Sequence, residues 1–134
     1  MRPEFLAIGE GRDTRDEIAR YLRFRPQFVA MLDQRFYTPI WLDGEIHSGR
    51  ARLWSDGSSA IIATLKTYPT GAIEVHGLIA VGALETILEL IELAEVWGKR
   101  CGAIVACIES RSGWAKPLAA FGYQPHQLTL RKEL

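Results

Sequence analysis

The chain has 134 residues, 48% of them apolar and 24% charged, which fits one folded domain and excludes a disordered or fibrous chain. Lys and Arg together number 16 and so do Asp and Glu, so no net charge draws the molecule as a whole to nucleic acid or to an anionic membrane. The two cysteines, Cys101 and Cys107, form no Cys-x-x-Cys pair and have no matching histidines; they are expected to be buried thiols.

The Met-Arg-Pro-Glu start carries no basic region leading into an apolar run, so no secretory signal is expected. The nearly uncharged stretch from Gly77 to Leu84 is far too short to span a bilayer. By default the chain is placed in the cytoplasm.

In chain order, Glu4 to Ile8 is expected to be a short first strand, and Gly9-Glu10-Gly11 a turn. Thr14, with Glu17 three residues on, reads as a capping box in which each side chain reaches the other's free N–H. Ile18, Tyr21 and Leu22 then make one apolar helix face. Pro26 is expected to open a second helix, with Phe28, Val29, Leu32 and Phe36 as its buried stripe. Arg20, Arg23 and Arg25 cluster near the junction and are expected on a solvated helix surface, or else to steer an anion.

Asp43-Gly44 reads as a tight turn. Arg50 to Trp54, Ala60 to Leu65 and Ala72 to Ala80 read as three strands, joined by turns at Asp56-Gly57 and at Pro69-Thr70-Gly71. Short connections between them imply an antiparallel meander.

The apolar period then changes. Leu84, Ile87, Leu88, Ile91 and Ala94 recur at three and four residues, which marks a helix to Trp97. Lys99-Arg100 suits its negative pole. Ala103 to Ile108 reads as a strand buried on both faces. Trp114 to Phe121 reads as a short helix bent or shortened at Pro117, and Gln127 to Leu130 as a last strand. The order β-α-α-β-β-β-α-β-α-β describes one α/β domain with a mixed sheet over 1–134.

Several residues could carry chemistry. Glu74 and His76 lie two apart on one strand and therefore share a face; either could take a proton from an amine. Ser110, Arg111 and Ser112 stand at a helix start, where they cap the helix or bind an anion. Glu85, Glu89, Glu92 and Glu95 form a stripe expected to be a solvated face, or else a docking surface for a basic partner. The four tryptophans read as packing residues. His47 and His126 have no partners spaced for a metal.

The strand AIEVHGLIAVG, the long helix ending in Gly-Ala, the strand AIVACIES and the closing Phe-Gly-Tyr, in that order, resemble the GCN5-related N-acetyltransferase (GNAT) family over Ala72–Leu134. The resemblance implies a cleft between the Ala72 and Ala103 strands that takes acetyl-CoA. It implies Glu74 or His76 as the catalytic base. It also implies a cofactor seat at Ala80, Val81, Gly82 and Thr86, completed by Arg111 and Ser112, with the backbone N–H groups of Ala80 to Gly82 holding the thioester carbonyl.

The chain departs from the family pattern at two points. The pyrophosphate loop falls on Gly82-Ala83-Leu84-Glu85-Thr86-Ile87, with no basic residue and with a carboxylate at Glu85. Leu118 stands where many members place a tyrosine that protonates the leaving thiolate. Short GNAT-like domains with such defects are similar to phage-type proteins, which implies as an alternative a non-catalytic structural or binding module. A third reading is an α/β interaction domain of another topology. Homodimerisation is compatible with all three.

Overall fold

A computed structural model describes residues 13–110 and 112–134. The expected first strand at Glu4 to Ile8, the turn after it, and Arg111 lie outside the described residues. The elements are α1 (Thr14–Met31), α2 (Pro39–Ser48), β1 (Ala51–Ser55), β2 (Ala60–Thr67), β3 (Ile73–Val81), α3 (Leu84–Arg100), β4 (Ala103–Ile108), a 3-10 turn (Ser112–Trp114) and α4 (Ala115–Ala119).

The four strands pair in chain order. β1–β2 and β2–β3 are antiparallel, as the short turns require, and β3–β4 is parallel across the α3 crossover. That parallel pairing removes the reading of another topology. The first turn is closed by Asp56, whose Oδ1 accepts from the N–H groups of Ser58 and Ser59 at 2.9 and 2.7 Å. At the second, Gly71 takes φ +89°, a conformation that glycine adopts without strain.

Helices cover both faces of the sheet. On one face α1 and α2 bury Tyr21, Phe24, Phe28, Leu42 and Ile46 against Leu53, Ile62 and Val81. Each aromatic or aliphatic side chain so buried contributes about 1.5–3 kcal/mol. On the other face α3 buries Ile87, Leu90, Ala94 and Trp97 against Ile61, Ala63 and Val75. Contact there is close: a Cβ added at Gly98 would stand 2.7 Å from Val75 Cβ.

The N-terminal half corrects several expectations. α1 is one helix from Thr14 to Met31, and Pro26 lies inside it instead of opening a second. The burial of Tyr21, Phe24 and Phe28 along one stripe outweighs the backbone bond that proline forfeits. The expected stripe breaks beyond the helix end, where Phe36 is exposed. The helix cap is Asp13, which accepts from Asp16 N–H at 3.0 Å, not Thr14. Glu17 does not reach back to the cap. It is buried and accepts from Arg52 Nε at 3.0 Å and Leu53 N–H at 3.1 Å.

Asp43-Gly44 is the middle of α2 and not a turn. Thr38 caps that helix by accepting from Trp41 N–H at 3.1 Å, Pro39 opens it and Gly49 closes it at φ +81°. Asp43 faces α1, where Arg25 binds it through Nε and Nη2 at 2.8 and 2.9 Å and Tyr21 Oη donates at 2.5 Å. The paired Arg25 guanidinium holds the Asp43 carboxyl below its ordinary value. Arg20 is used structurally too, on Asp16 and Ser55.

The C-terminal half brings two more corrections. β4 ends the described sheet, and Ile104 and Val105 are exposed, not buried on both faces. Gln127 to Leu130 joins no sheet. None of the described helices is long and apolar enough to cross a membrane.

Replacing Glu17 by alanine would leave the Arg52 guanidinium and the Leu53 N–H without this acceptor. A loss of about 3–5 kcal/mol is expected in urea unfolding, and a smaller one for Glu17→Gln. A loss below about 1 kcal/mol for the alanine variant would show that the pair does not hold α1 to β1.

Candidate active site

Glu74 and His76 do come together. Both point from β3 to the face opposite Val75, which packs against α3. Glu74 is only 3% exposed and is surrounded by donors. Tyr68 Oη donates to Oε1 at 2.5 Å, His76 Nδ1 lies 2.8 Å from Oε2, and the Cys107 thiol also hydrogen-bonds to the carboxylate. Burial alone would raise the Glu74 carboxyl. The hydrogen bonds from Tyr68, His76 and Cys107 outweigh it and hold the group below its ordinary value.

The donors show the reverse effect. The bond to Glu74 pushes Tyr68 up to about 12, and burial together with the same bond pushes the Cys107 thiol up to about 11. Both stay protonated near neutrality. Cys107 is therefore half-buried at this cluster and not simply a buried core thiol; Cys101 is the buried one.

With Nδ1 on Glu74, the other ring nitrogen of His76 faces outward. The His76 side chain is 19% exposed, and its Nε2 stands 3.7 Å from a carboxylate oxygen of Glu109. Of the two expected bases, Glu74 is the buried partner and His76 the accessible one. When Nδ1 carries the proton donated to Glu74, Nε2 presents a lone pair.

The strands part just beyond this pair. β3 and β4 are in register from Glu74↔Val105 to Gly77↔Ile108, so His76 lies one residue from the last pairing. A Cβ at Gly77 would meet Ile108 Cγ1 at 3.2 Å, a tight contact that the isoleucine side chain would have to relieve. β3 runs on to Val81 beside β2 alone. At the fork a bulge places Leu78 as an extra residue, with Ile62 opposite Ile79 and Ala63 opposite Gly77. Among the described residues, the β3 backbone groups on the β4 side have no strand partner there.

The expected cofactor seat follows at the end of β3. Ala80 is half-buried, and Val81 packs its side chain into the α1–α2 core and offers only backbone. Gly82 takes φ +114°, and a Cβ there would stand 2.2 Å from Ser59 Oγ; only glycine fits. Ser59 Oγ accepts from Ala83 N–H at 3.1 Å. α3 then starts with no side-chain cap, so its first-turn N–H groups point out of the helix tip. Thr86 sits half-buried in that turn, and Glu85 is exposed there. Ser112 starts the 3-10 turn after β4, on the other arm of the fork.

Tyr68, Cys107 and Glu109 were missed in the sequence. The hairpin turn at Pro69 to Gly71 folds Tyr68 back toward Glu74, and the β3–β4 register sets Cys107 opposite His76. The first follows from hairpin register; the second needs the parallel pairing. Leu118 is buried, and Tyr123 bonds Glu95 through its hydroxyl, so the glutamate stripe is not wholly solvated. An apolar cavity of about 30 Å³ lies beside the fork on the α3 side, between Gly77, Ile108, Ile91 and Tyr123. A larger cavity, about 240 Å³, lies away from the pair, around Arg20, Arg52 and Leu93. Among the described residues no group of His, Cys, Asp or Glu could hold a metal ion.

No protein-family profile matches the chain, and no curated protein matches it. Solved structures do. An aminoglycoside acetyltransferase from an uncultured soil metagenomic sample is 13% identical with a TM-score of 0.63, covering 100% of this chain and 95% of that one. A predicted acetyltransferase with acetyl-CoA from Clostridium acetobutylicum is 10% identical at TM-score 0.63, over 91% and 92%. A ribosomal-protein-alanine N-acetyltransferase from Brucella melitensis is 10% identical at TM-score 0.62, over 88% and 96%.

Because Glu74 is held below its ordinary value of 4.5, its ionised form stabilises the fold above that pH, and the contribution is lost as pH falls below it. Glu74→Gln is expected to flatten the acid limb of a stability-versus-pH curve below about pH 4.5. An unchanged acid limb would show that the hydrogen bonds do not hold the charge.

The fork, the uncapped helix tip and the solved structures together identify the architecture: this chain has the GCN5-related N-acetyltransferase fold.

Proposed function

We propose that the protein transfers an acyl group from acetyl-CoA to an amine, with His76 as the base. One observation carries the reading: an accessible imidazole, oriented by a buried carboxylate, stands one residue from the point where β3 leaves β4. A hydrogen-bonded pair of this kind, with its carboxylate satisfied by three donors, has more built into it than two solvent-facing strand residues would.

Acetyl-CoA supplies an activated acyl group as a thioester. The residues that would receive it are the unpaired β3 backbone from Leu78 to Val81 and the tip of α3 at Gly82 and Thr86. N–H groups fixed along β3 suit an oxygen that gains negative charge as the amine adds. His76 Nε2 takes a proton from the attacking nitrogen, and Glu74 stabilises the imidazolium that results. His76 can then return that proton to the departing thiolate, which gives the amide and the free thiol. Leu118 has no proton to give, so this return replaces a tyrosine.

The acceptor is not specified by the fold. The similar structures include one that acts on aminoglycosides and one that acts on a ribosomal protein's alanine. Glu109 beside His76 favours a cationic amine over an acidic one.

A second reading has its own observation. Glu85 is exposed in the first turn of α3, where a pyrophosphate would meet its charge, and no arginine lies in that loop. This favours a GNAT-shaped binding or structural module, of the phage type, that has no use for CoA.

Calorimetric titration with acetyl-CoA separates the two. The enzyme reading expects measurable binding that strengthens about threefold to tenfold in Glu85→Gly, which removes a like charge. It also expects thiol release with an amine panel that falls at least about a hundredfold in His76→Ala. No heat at about 1 mM ligand, a concentration that reveals even weak sites, would leave the module reading.

A further inference from the structure

Glu74 can orient His76 only if Glu74 is itself held. The terminal torsion of a glutamate is broad, so a single hydrogen bond leaves its carboxylate free to swing. Bonds on both oxygens fix the plane. His76 Nδ1 takes Oε2 at 2.8 Å, and Tyr68 Oη takes Oε1 at 2.5 Å. The Cys107 thiol bonds the same carboxylate, but a thiol is a weak donor beside a phenol.

Tyr68 is held from its backbone outward. Its N–H donates to Ala72 O at 2.9 Å and its carbonyl accepts from Gly71 N–H at 2.8 Å, so both main-chain groups are tied into the hairpin turn. Lys66 stands opposite Glu74 in the β2–β3 register. Tyr68, two residues on, continues that face diagonally to Glu74, within the reach of an aromatic side chain. The Lys66 ammonium lies 5.0 Å from the centre of the Tyr68 ring and adds to its placement.

The imidazole stands between two carboxylates. Glu74 is at Nδ1, and a Glu109 oxygen lies 3.7 Å from Nε2. An ionised carboxylate only accepts, so each favours the ring proton on its own side. A proton on Nδ1 leaves Nε2 basic; a proton on Nε2 removes the lone pair that would take a proton from an amine.

We infer that Tyr68 is a positioning residue for the proposed base: its hydroxyl pins Oε1 of Glu74, keeps Oε2 on His76 Nδ1, and so leaves the lone pair on the outward Nε2. The inference rests on His76 being that base. Without the hydroxyl, a carboxylate with almost no access to water loses one of its three donors and turns to share the other two. The bond to Nδ1 is then broken part of the time, and Glu109 draws the ring proton to Nε2.

Nitrogen-15 spectra of the three histidines, recorded with the rings neutral and with the His76 signals assigned by their loss in His76→Ala, test this directly. The wild-type chain is expected to carry the His76 proton on Nδ1. In Tyr68→Phe, which keeps the ring and removes only the hydroxyl, the two nitrogen signals are expected to move toward each other as the proton divides between them. The rate of thiol release at saturating substrates is expected to fall about tenfold, with KM within about twofold, a part of the loss on removing the base itself. A His76 proton on Nε2 in the wild-type chain would overturn the inference, and that measurement needs no variant to fold. So would a Tyr68→Phe spectrum that keeps the full Nδ1 pattern. A wild-type chain that releases no thiol, yet loses the Nδ1 pattern in Tyr68→Phe, would remove the acyl-transfer reading and leave Tyr68 as the residue that orients the pair.

Discussion

The candidate site depends on β3 being held by two neighbours along its first half and by one along its second. The far end of β3 is pinned to the β1–β2 hairpin through Gly82, which has no room for a Cβ beside the buried Ser59, and through Ala83 N–H on Ser59 Oγ. A bulge places Leu78 as an extra residue just past the stretch from Glu74 to Gly77 that is in register with β4. Among the described strands β3 thus pairs with both neighbours up to Gly77 and with β2 alone beyond it. Everything proposed about the chemistry uses the β3 backbone beyond that point.

The electrostatics around Glu74 show how a carboxylate survives burial. Desolvation works against the charge, and three donors more than offset it. The same bonds keep Tyr68 and Cys107 protonated, so neither can serve as a base near neutrality. A buried carboxylate held below its ordinary value is a weak base but a firm anchor for an imidazole. This division of labour was hidden while Glu74 and His76 were only two residues sharing a strand face.

Glu17 has a related part on the α1 side of the sheet. Its carboxylate joins the helix to Arg52 and to the β1 backbone, and the Arg52 guanidinium lies 5.8 Å from the centre of the Trp97 ring, across the sheet edge toward α3. The two helical layers are therefore linked through one arginine as well as through the sheet. At the other end of the molecule, the tip of α3 combines an uncapped first turn with an acidic side chain, which weakens it as an anion seat without removing its geometry.

By itself the sequence determined the elements whose signal is local. The period of α3, the alternation of β1 to β3 and the glycine turns depend on neighbours a few residues apart, and the structure has them with ends shifted by a residue or a few. The order of those elements also carried the resemblance and, through it, the fork. Tertiary contact decided the rest. Pro26 stays inside a helix because Tyr21, Phe24 and Phe28 bury a common stripe, and Asp43-Gly44 stays helical because Asp43 binds Arg25 and Tyr21 from another element. The roles of Glu17 and Cys107 depend on partners more than thirty residues away, and no local pattern encodes a partner at that distance. Gln127 to Leu130 has the alternation of a strand, but a strand needs a free ladder within reach, and only the assembled molecule decides where one is.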